Sequence, residues 1–387
     1  MRNMMHRLHE TWNRIPHWPV YTAGALAVAG AVAYTGVGWY LSSQVLTPNR
    51  QTVSYDQTVQ AVDGDTVRTQ GGAYNINGRV GLIEDTGAFV GELGPPSDSN
   101  TENQSSTRRF IEAPAGAVAV GDKVSLQGNI WTSDPEKALS LPFEEVKYDG
   151  PLGKNPAWVI PSKEPTKTWT IGVHGIGAPR SEMLRFVKPV HESGNTMMVI
   201  NYRNDAGSPK SPDGFTHLGD TEWQDVQAAI AYAKDHGAEA INLYGVSFGG
   251  SSVQNYLRQA PASETEIVNK VILESPALDW KQLLRHRVEQ KGLPGWLAQP
   301  GFVVGKLRSG VDFNRISTQP GSIERPTLII HSSDDTNVPN GPSKRVAVAQ
   351  PDLIQLVDFG KGGHARSWNN NPERYEQLVA EFLTREG

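Results

Sequence analysis

The chain has 387 residues, of which 20% are charged and 38% hydrophobic, and its formal net charge is −5. This composition is typical of a globular protein with a sizeable core and excludes a multi-pass membrane protein. The acidic balance argues against a nucleic-acid partner, and the absence of cysteine excludes disulfides, thiolate metal sites and a cysteine nucleophile.

The N-terminal region has the pattern of a membrane anchor. Residues 1–19 contain three arginines and one acidic residue, and no charged residue follows until Arg50. The uncharged segment 20–41 has the roughly 20 residues that a helix needs to cross a hydrocarbon core. Aromatic residues at its ends, Trp18 and Tyr40 among them, suit the two membrane interfaces. The arginines predict a cytoplasmic N-terminus, a single transmembrane helix, and an extracytoplasmic location at the cell membrane for everything after Arg50.

A cleaved signal peptide is the alternative for this segment, because it is rich in alanine and glycine. Its length exceeds that of the apolar region of a signal peptide, and no Ala-x-Ala cleavage site follows it. These two features favour an uncleaved signal anchor. The absence of cysteine also suits a protein outside the reducing cytoplasm.

Residues 50–142 have the pattern of a small β-rich domain. Short runs of alternating hydrophobicity, for example 78–83 and 123–127, are separated by turn signals. The polar, low-complexity stretch 95–107 is predicted to be a mobile loop rather than part of the core.

From residue 143 to residue 387, strands alternate with helices, which predicts an α/β fold with a mostly parallel sheet flanked by helices. A leading hairpin and six further runs give eight predicted strands, at 144–148, 157–160, 169–173, 197–201, 240–244, 271–274, 327–331 and 353–358. After the sixth strand, residues 277–325 form an insertion with amphipathic helical character. We expect a helical lid there; extra helical packing on the sheet is the alternative.

The motif that organises this region is Gly245-Val246-Ser247-Phe248-Gly249, between a predicted strand and a predicted helix. A serine in a tight strand-to-helix turn projects its hydroxyl above the carboxyl edge of the sheet, and the flanking glycines let the turn close. A pentapeptide of this kind also occurs as an ordinary turn. Ser247 therefore requires a base, an acid and an oxyanion pocket elsewhere in the chain.

The acid and the base are predicted after the last two strands, in the chain order serine, acid, histidine. Asp335 follows the seventh strand and is the predicted partner of the base. Its neighbour Asp334 is the alternative acid and otherwise caps the turn. His364 lies on a glycine-rich loop after the last strand, and the glycines allow this loop to fold over Ser247. His364 is therefore the predicted general base. The alternative is an ordinary surface-loop histidine.

The third predicted strand is followed by His174-Gly175-Ile176. The main-chain amides of Ile176 and Phe248 are predicted to stabilise the oxyanion of a tetrahedral intermediate, with Gly175 as a loop glycine beside them. His174 is predicted to be structural. No metal and no organic cofactor is expected, because the triad accounts for the clustering of histidine and acidic residues.

A resemblance beyond single motifs is carried by the runs Gly150-Pro151-Leu152-Gly153, His174-Gly175-Ile176-Gly177-Ala178-Pro179-Arg180, Asn201-Tyr202-Arg203-Asn204-Asp205, Leu218-Gly219-Asp220-Thr221-Glu222-Trp223, Glu274-Ser275-Pro276 and Trp368-Asn369. They are similar to those of a family of actinobacterial membrane-anchored α/β-hydrolases, and the resemblance covers most of the chain. It implies a membrane segment, a small β-rich domain and a serine hydrolase core, but no particular substrate. Some members are likened to serine peptidases of the prolyl oligopeptidase type.

Two details of this resemblance concern the site. Phe248 stands where methionine or glutamine is common in the family, but only its main-chain amide is needed. Arg203, Asn204 and Asp205 either line the substrate site or fix the loop after their strand.

These patterns predict a serine hydrolase that forms an acyl-enzyme outside the cytoplasm and acts on carboxylic esters, either small or lipid-like. A serine peptidase or an acyltransferase on the same fold is one alternative. A cell-envelope binding or scaffolding protein on a hydrolase fold is the non-enzymatic alternative. The membrane is an expected partner through the N-terminal helix, and protein partners are left open.

Overall fold

The computed structural model describes residues 18–48, 52–112, 118–164 and 166–385. Most of the predicted cytoplasmic segment, residues 1–17, lies outside the described residues. The described chain consists of an N-terminal helix, a β-barrel and an α/β domain, so the α/β core and the small β-rich domain expected from the sequence are both present.

The N-terminal helix α1 (Trp18–Leu46) is long and continuous. Residues 21–37 are all exposed. Among the described residues, α1 is the one helix long and apolar enough to cross a membrane, with a mean hydropathy of 1.3. The helix continues past the predicted end at residue 41, because its last turns pack against the α/β domain, where Leu41 and Leu46 are buried.

Six antiparallel strands form a closed barrel in the order β1-β2-β5-β4-β3-β6. Their bounds are β1 (Gln57–Asp63), β2 (Thr66–Gly71), β3 (Val80–Glu84), β4 (Phe89–Asn100), β5 (Ser105–Glu112) and β6 (Lys123–Gln127). Inward-facing valine and leucine side chains such as Val59, Leu82 and Leu126 fill the interior, as the alternating pattern requires.

The prediction of a mobile loop over 95–107 is wrong. These residues belong to the hairpin of β4 and β5, and Asn100 closes its turn by accepting hydrogen bonds from the amides of Glu102 (2.9 Å) and Asn103 (3.2 Å). Register shifts along β4 accommodate its two prolines. Most of the hairpin tip faces solvent, so these strands carry polar residues on both faces. The sequence therefore lacks the alternating hydrophobicity that predicts a strand.

The α/β domain is built on an eight-stranded sheet in the order β14-β13-β12-β11-β9-β10-β8-β7. The bounds are β7 (Glu144–Gly150), β8 (Gly153–Ile160), β9 (Thr168–Val173), β10 (Thr196–Ile200), β11 (Ala240–Val246), β12 (Val268–Glu274), β13 (Thr327–Ile330) and β14 (Ile354–Val357). β9 to β14 pair in parallel, whereas β7 and β8 form an antiparallel hairpin whose second strand joins β10.

Helices cover both faces of this sheet. Their bounds are α2 (Pro135–Leu139), α3 (Leu184–Glu192), α4 (Trp223–Asp235), α5 (Phe248–Gln259), α6 (Ala262–Thr265), α7 (Trp280–Glu289), α8 (Gln299–Ser309), α9 (Gly341–Ala349), α10 (Ser367–Asn370) and α11 (Pro372–Thr384). One apolar core lies under α3 and α11, and the other lies under α4, α5 and the insertion. Buried β-branched and aromatic residues on both faces are typical of a parallel sheet.

The insertion between β12 and β13 contains α7, a single 3₁₀ turn (Gly295–Ala298) and α8. Trp280 on α7 is buried and donates its indole N–H to Ser251 Oγ at 2.9 Å, which ties the insertion to α5. On its other side, α8 packs against the last turns of α1. The insertion therefore connects the N-terminal helix to α5.

Candidate active site

Ser247 occupies the turn between β11 and α5. Its φ is 52° and its ψ is −111°, a strained conformation for a non-glycine residue that is typical of a nucleophile at a sharp strand-to-helix turn. The amide of Ser247 donates to the carbonyl oxygen of Glu274 on the next strand at 2.8 Å. The side chain is held at the carboxyl edge of the sheet and is 8% exposed.

The two glycines of the motif are required by close backbone approaches. A Cβ on Gly245 would lie 2.6 Å from the amide nitrogen of Gly250. A Cβ on Gly249 would lie 2.8 Å from the carbonyl carbon of Val173 on β9. Any side chain at either position would push the helix away from the sheet and move Ser247.

The structure brings Ser247, His364 and Asp335 together, although they lie far apart in the sequence. Nε2 of His364 is 3.0 Å from Ser247 Oγ, and its Nδ1 is 2.8 Å from Asp335 Oδ2. Because a carboxylate only accepts hydrogen bonds, Nδ1 carries the proton and Nε2 is the acceptor facing the hydroxyl. This geometry allows His364 to receive the Ser247 proton.

Asp335 is held as an anion. Its Oδ1 accepts hydrogen bonds from the amides of Asn337 and Val338, each at 2.9 Å, and its Oδ2 also lies 3.3 Å from Nε2 of His331. Burial acts to raise the pKa of Asp335, but hydrogen bonds from His331 and His364, together with the charge interaction with His364, outweigh it and hold the pKa below its usual value.

His331 supports the site and was not identified by the sequence analysis. Its imidazole is buried, with Nδ1 2.9 Å from Ser343 Oγ and Nε2 3.0 Å from the carbonyl oxygen of Val338. The Nε2 proton therefore lies between that carbonyl and the Asp335 carboxylate. The available signal was a histidine that closes an apolar strand four residues before Asp335.

The alternative acid, Asp334, has a different position. It is exposed, and its Oδ1 accepts a hydrogen bond from the amide of Gly363 at 2.8 Å. Asp334 therefore anchors the loop that carries His364, and no contact with either imidazole nitrogen is present among the described residues. The geometry favours Asp335 as the partner of the base.

The loop after β9 brings a second set of main-chain amides to the serine. A Cβ on Gly175 would lie 3.6 Å from Ser247 Cβ, and the Gly175 amide donates to the buried carboxylate of Glu182 at 2.6 Å. Within the described part of the chain, the amides of Ile176 and Phe248 have no hydrogen-bond acceptor. Ile176 directly follows Gly175, and Phe248 directly follows Ser247, so these two amides are candidates for stabilising an oxyanion.

Glu182 fixes this loop, and the sequence analysis missed it because an acidic residue in a short helical turn predicts an exposed position. His174 has the structural role that was predicted. It is buried, its Nε2 is 3.0 Å from Asp205 Oδ2, and its ring stacks on Tyr202. The main chain before Ile176 is therefore held from two sides.

The loop that carries His364 is also fixed by α3 and by the barrel. Arg185 is buried on α3 and donates to Ala365 O at 2.7 Å and to Asn369 Oδ1 at 2.6 Å. Asn369 in turn donates to two barrel carbonyls, those of Arg79 and Gly128, each at 2.8 Å. The barrel thus contacts the site through the histidine loop.

A cavity of about 1100 Å³ adjoins Ile176. Thr47 and Pro48, which follow α1, form part of its wall, and residues 132–134 of the segment before α2 form another part. Ser247 is not among the lining residues, and the cavity instead follows residues 176–181 of the loop after β9.

Arg203, Asn204 and Asp205 line this cavity and also fix their own loop, whereas their role in a substrate site stays a prediction. Arg203 Nε donates to the buried Asp225 carboxylate at 2.6 Å. Asp205 accepts the amide of Tyr202 at 2.8 Å. Among the described residues there is no group of three or more histidine and acidic side chains placed to hold a metal ion.

No family model matches the chain. Over 217 residues it is 25% identical to the uncharacterized protein YqkD of Bacillus subtilis strain 168, a match that covers 54% of this chain and 69% of that protein. The fold is similar to that of an esterase from Pyrococcus furiosus, with a TM-score of 0.53 and 20% identity, covering 66% of this chain and 95% of the esterase. A second crystal form of that esterase gives a TM-score of 0.51 and 21% identity. The chain therefore has an α/β-hydrolase fold.

Proposed function

We propose that this protein is a membrane-anchored serine hydrolase that cleaves carboxylic esters outside the cytoplasm through an acyl-enzyme. The observation that carries the proposal is the continuous hydrogen-bonded chain from Ser247 Oγ through the imidazole of His364 to Asp335, with distances of 3.0 and 2.8 Å. The similarity in fold to an esterase supports the same reaction class.

In the first half-reaction, Nε2 of His364 takes the proton of Ser247 as its oxygen attacks the carbonyl carbon of the ester. The resulting oxyanion accepts hydrogen bonds from the amides of Ile176 and Phe248, each contributing about 3 kcal/mol to the barrier reduction. The ionised Asp335 stabilises the imidazolium and holds its orientation. The imidazolium then protonates the leaving alkoxide, which departs as an alcohol.

In the second half-reaction, water replaces the alcohol. His364 accepts a proton from the water as it attacks the acyl carbon, and the same two amides stabilise the second oxyanion. Collapse of this intermediate releases the carboxylic acid and returns the proton to Ser247. An acceptor alcohol in place of water would give acyl transfer by the same steps.

The insertion is proposed to act as a lid over the site. Its buried Trp280 reaches the residue after the nucleophile, since the Trp280 ring packs edge-on against Phe248 with centroids 6.4 Å apart. The cavity beside Ile176, at about 1100 Å³, is slightly larger than typical pockets for small ligands, which measure about 300–1000 Å³, so it has room for a small or lipid-like acyl group or alcohol. These features favour an ester over a long peptide substrate.

The proposed location rests on α1. At 1.5 Å per residue, the 20 residues from 18 to 37 span about 30 Å, which matches the hydrocarbon core. The arginines at the N-terminus favour a cytoplasmic start, so the α/β domain would lie on the opposite side.

A substrate panel tests the proposed reaction. Purified full-length protein should hydrolyse p-nitrophenyl esters, with a preferred acyl length, faster than the corresponding peptide p-nitroanilides. The Ser247→Ala variant should lose this turnover by several orders of magnitude. Faster cleavage of the anilides would favour a peptidase, and equal ester turnover by Ser247→Ala would refute the mechanism.

A further inference from the structure

The end of α1 is joined to the insertion by a close helix contact. A Cβ on Gly38 would lie 2.6 Å from the carbonyl oxygen of Pro300, so α1 meets α8 at a glycine. On the facing helix, a Cβ on Gly301 would lie 3.0 Å from Leu41 Cβ, and one on Gly305 would lie 3.3 Å from a neighbouring serine. Small residues on both helices let the backbones approach closely, as in helix pairs within membranes.

Polar contacts also hold α8 against the last turns of α1. Arg308 on α8 donates to Ser42 Oγ at 2.7 Å and to Ser43 Oγ at 2.8 Å, and its guanidinium lies 3.8 Å from the centroid of the Trp39 ring. At the end of α1, the Thr216 amide donates to the carbonyl oxygen of Leu46 at 2.8 Å. The insertion therefore has a fixed position relative to α1.

The segment before α8 reaches the point where α1 leaves the protein. We define the lid tip as residues 291–296, Lys291-Gly292-Leu293-Pro294-Gly295-Trp296. Lys291 Nζ donates to Tyr40 OH at 2.9 Å and lies 5.0 Å from the centroid of the tyrosine ring. Within the lid tip, the side chain of Trp296 is 72% exposed and that of Leu293 is 49% exposed.

This position corresponds to a membrane surface. The continuous exposed stretch of α1 ends at residue 37, before the buried Gly38, and the 20 helical residues up to that point are long enough to fill a hydrocarbon core of about 30 Å. Tyr40, three residues later, is then at the level of the lipid headgroups. A lid tip bonded to Tyr40 is at the same level, with an exposed tryptophan and leucine and a lysine, the residue types that favour this interface.

The charge of the insertion matches an anionic lipid surface. Residues 277–325 contain eight lysine and arginine residues against four aspartate and glutamate residues, although the whole chain has a net charge of −5. Arg285, Arg287 and Lys291 on α7 and in the lid tip are exposed. Basic side chains beside exposed apolar ones are attracted to anionic headgroups.

We propose that the lid tip inserts Leu293 and Trp296 into the headgroup and acyl boundary of the bilayer that α1 crosses. The insertion then rests on the membrane, and its position is set by α1 rather than by the catalytic domain alone. This inference relies on the proposed membrane anchor but not on the proposed hydrolase activity.

Single-cysteine labelling tests the proposal directly, because the natural chain contains no cysteine. Full-length variants Leu293→Cys and Trp296→Cys are labelled with an environment-sensitive fluorophore and reconstituted into vesicles of phosphatidylcholine and phosphatidylglycerol. Val348→Cys is the matched control, because Val348 is an 82% exposed apolar residue on α9, outside the insertion. Val28→Cys, in the middle of the exposed part of α1, reports insertion of the anchor.

We expect the labels at 293 and 296 to show blue-shifted emission, quenching by lipid-borne nitroxide and protection from aqueous iodide, with the label at 348 behaving oppositely. If 293 and 296 behave like 348 while 28 is in lipid, the lid-tip proposal is overturned and the anchor stands. If 28 is also in water, both fail. Labelling of Ser247 by a fluorophosphonate in the same vesicles reports the hydrolase proposal separately.

Discussion

Arg185 donates a hydrogen bond from Nη1 to the main-chain oxygen of Ala365, 2.7 Å away, and so fixes the residue that follows His364. The same buried guanidinium bonds Asn369, which is attached to the barrel. A single side chain thus connects α3, the histidine loop and the barrel. The position of the base relative to Ser247 depends on this connection.

Replacing Arg185 by glutamine should damage stability and catalysis together. The shorter amide leaves buried acceptors without donors, and each such group costs about 1–3 kcal/mol. We expect the free energy of unfolding in urea to fall by about 2–4 kcal/mol and kcat for an ester to fall at least tenfold. Lys188→Gln is the control on the same helix. It breaks an ion pair with Glu376 in which the lysine is 57% exposed, and it should cost less than about 1 kcal/mol.

The two neighbouring aspartates should differ sharply. Asp335→Asn removes the carboxylate that orients His364, and loss of this partner typically lowers kcat by about four orders of magnitude. Asp334→Asn retains an oxygen that can accept the Gly363 amide, so kcat should change less than about threefold. Steady-state ester hydrolysis by both variants makes the comparison. Comparable losses in the two variants would show that the acid has been misassigned.

Glu274 should make stability depend on pH. Its carboxyl group is fully buried beside the Ser367 amide and the Tyr375 hydroxyl, and burial raises its pKa from 4.5 to about 7. Between pH 4.5 and about pH 7, Glu274 is therefore more protonated in the folded state than in the unfolded state. The contribution of Glu274 to the free energy of unfolding falls as the pH rises through this window. At about 1.4 kcal/mol per pKa unit, the loss by pH 8 is about 3 kcal/mol.

The Glu274→Gln variant should lack this component. Its free energy of unfolding relative to the wild type should increase from pH 5 to pH 8, as measured by urea titration at each pH. Glu239→Gln is the control, because Glu239 is 66% exposed. A pH-independent difference between Glu274→Gln and the wild type would contradict the raised pKa.

The contact between α1 and the insertion predicts a difference between two glycines on one helix. Gly38→Leu places a side chain against the Pro300 carbonyl, whereas the space around Gly36 is open to 4 Å. Overpacking of this kind costs about 1–3 kcal/mol. In detergent or nanodiscs, Gly38→Leu should lower Tm and speed tryptic cleavage of the insertion. Gly36→Leu should match the wild type, and equal behaviour of the two variants would count against the docked arrangement.

The sequence predicted the candidate triad because each of its residues follows a recognisable strand in the chain order expected for this fold. Ser247, Asp335 and His364 each follow an apolar strand, and parallel strands place their carboxyl ends at one edge, so the grouping was predictable. Glu182 and Arg185 were not predictable, because charged residues normally predict exposure and only the tertiary fold buries these two. His331 left a signal at the end of an apolar strand, but its contact with Asp335 comes from the fold of the loop that follows.

Two other features lay beyond sequence patterns. The hairpin tip in 95–107 reads as a loop because exposed strands carry polar residues, and its strand character comes from pairing with neighbours in a closed barrel. The contact of Gly38 with Pro300 joins positions far apart in the chain. Local periodicity identifies both helices but contains no information that pairs them.

Labelling with a fluorophosphonate probe tests the central claim, that Ser247 is a nucleophile activated by His364, without assuming any substrate. The account predicts one adduct on the intact protein, mapped to Ser247 by peptide mass analysis, no adduct in Ser247→Ala, and at least 100-fold slower labelling in His364→Gln. Undiminished labelling of Ser247→Ala, or an adduct mapped to another residue of the wild type, would contradict it.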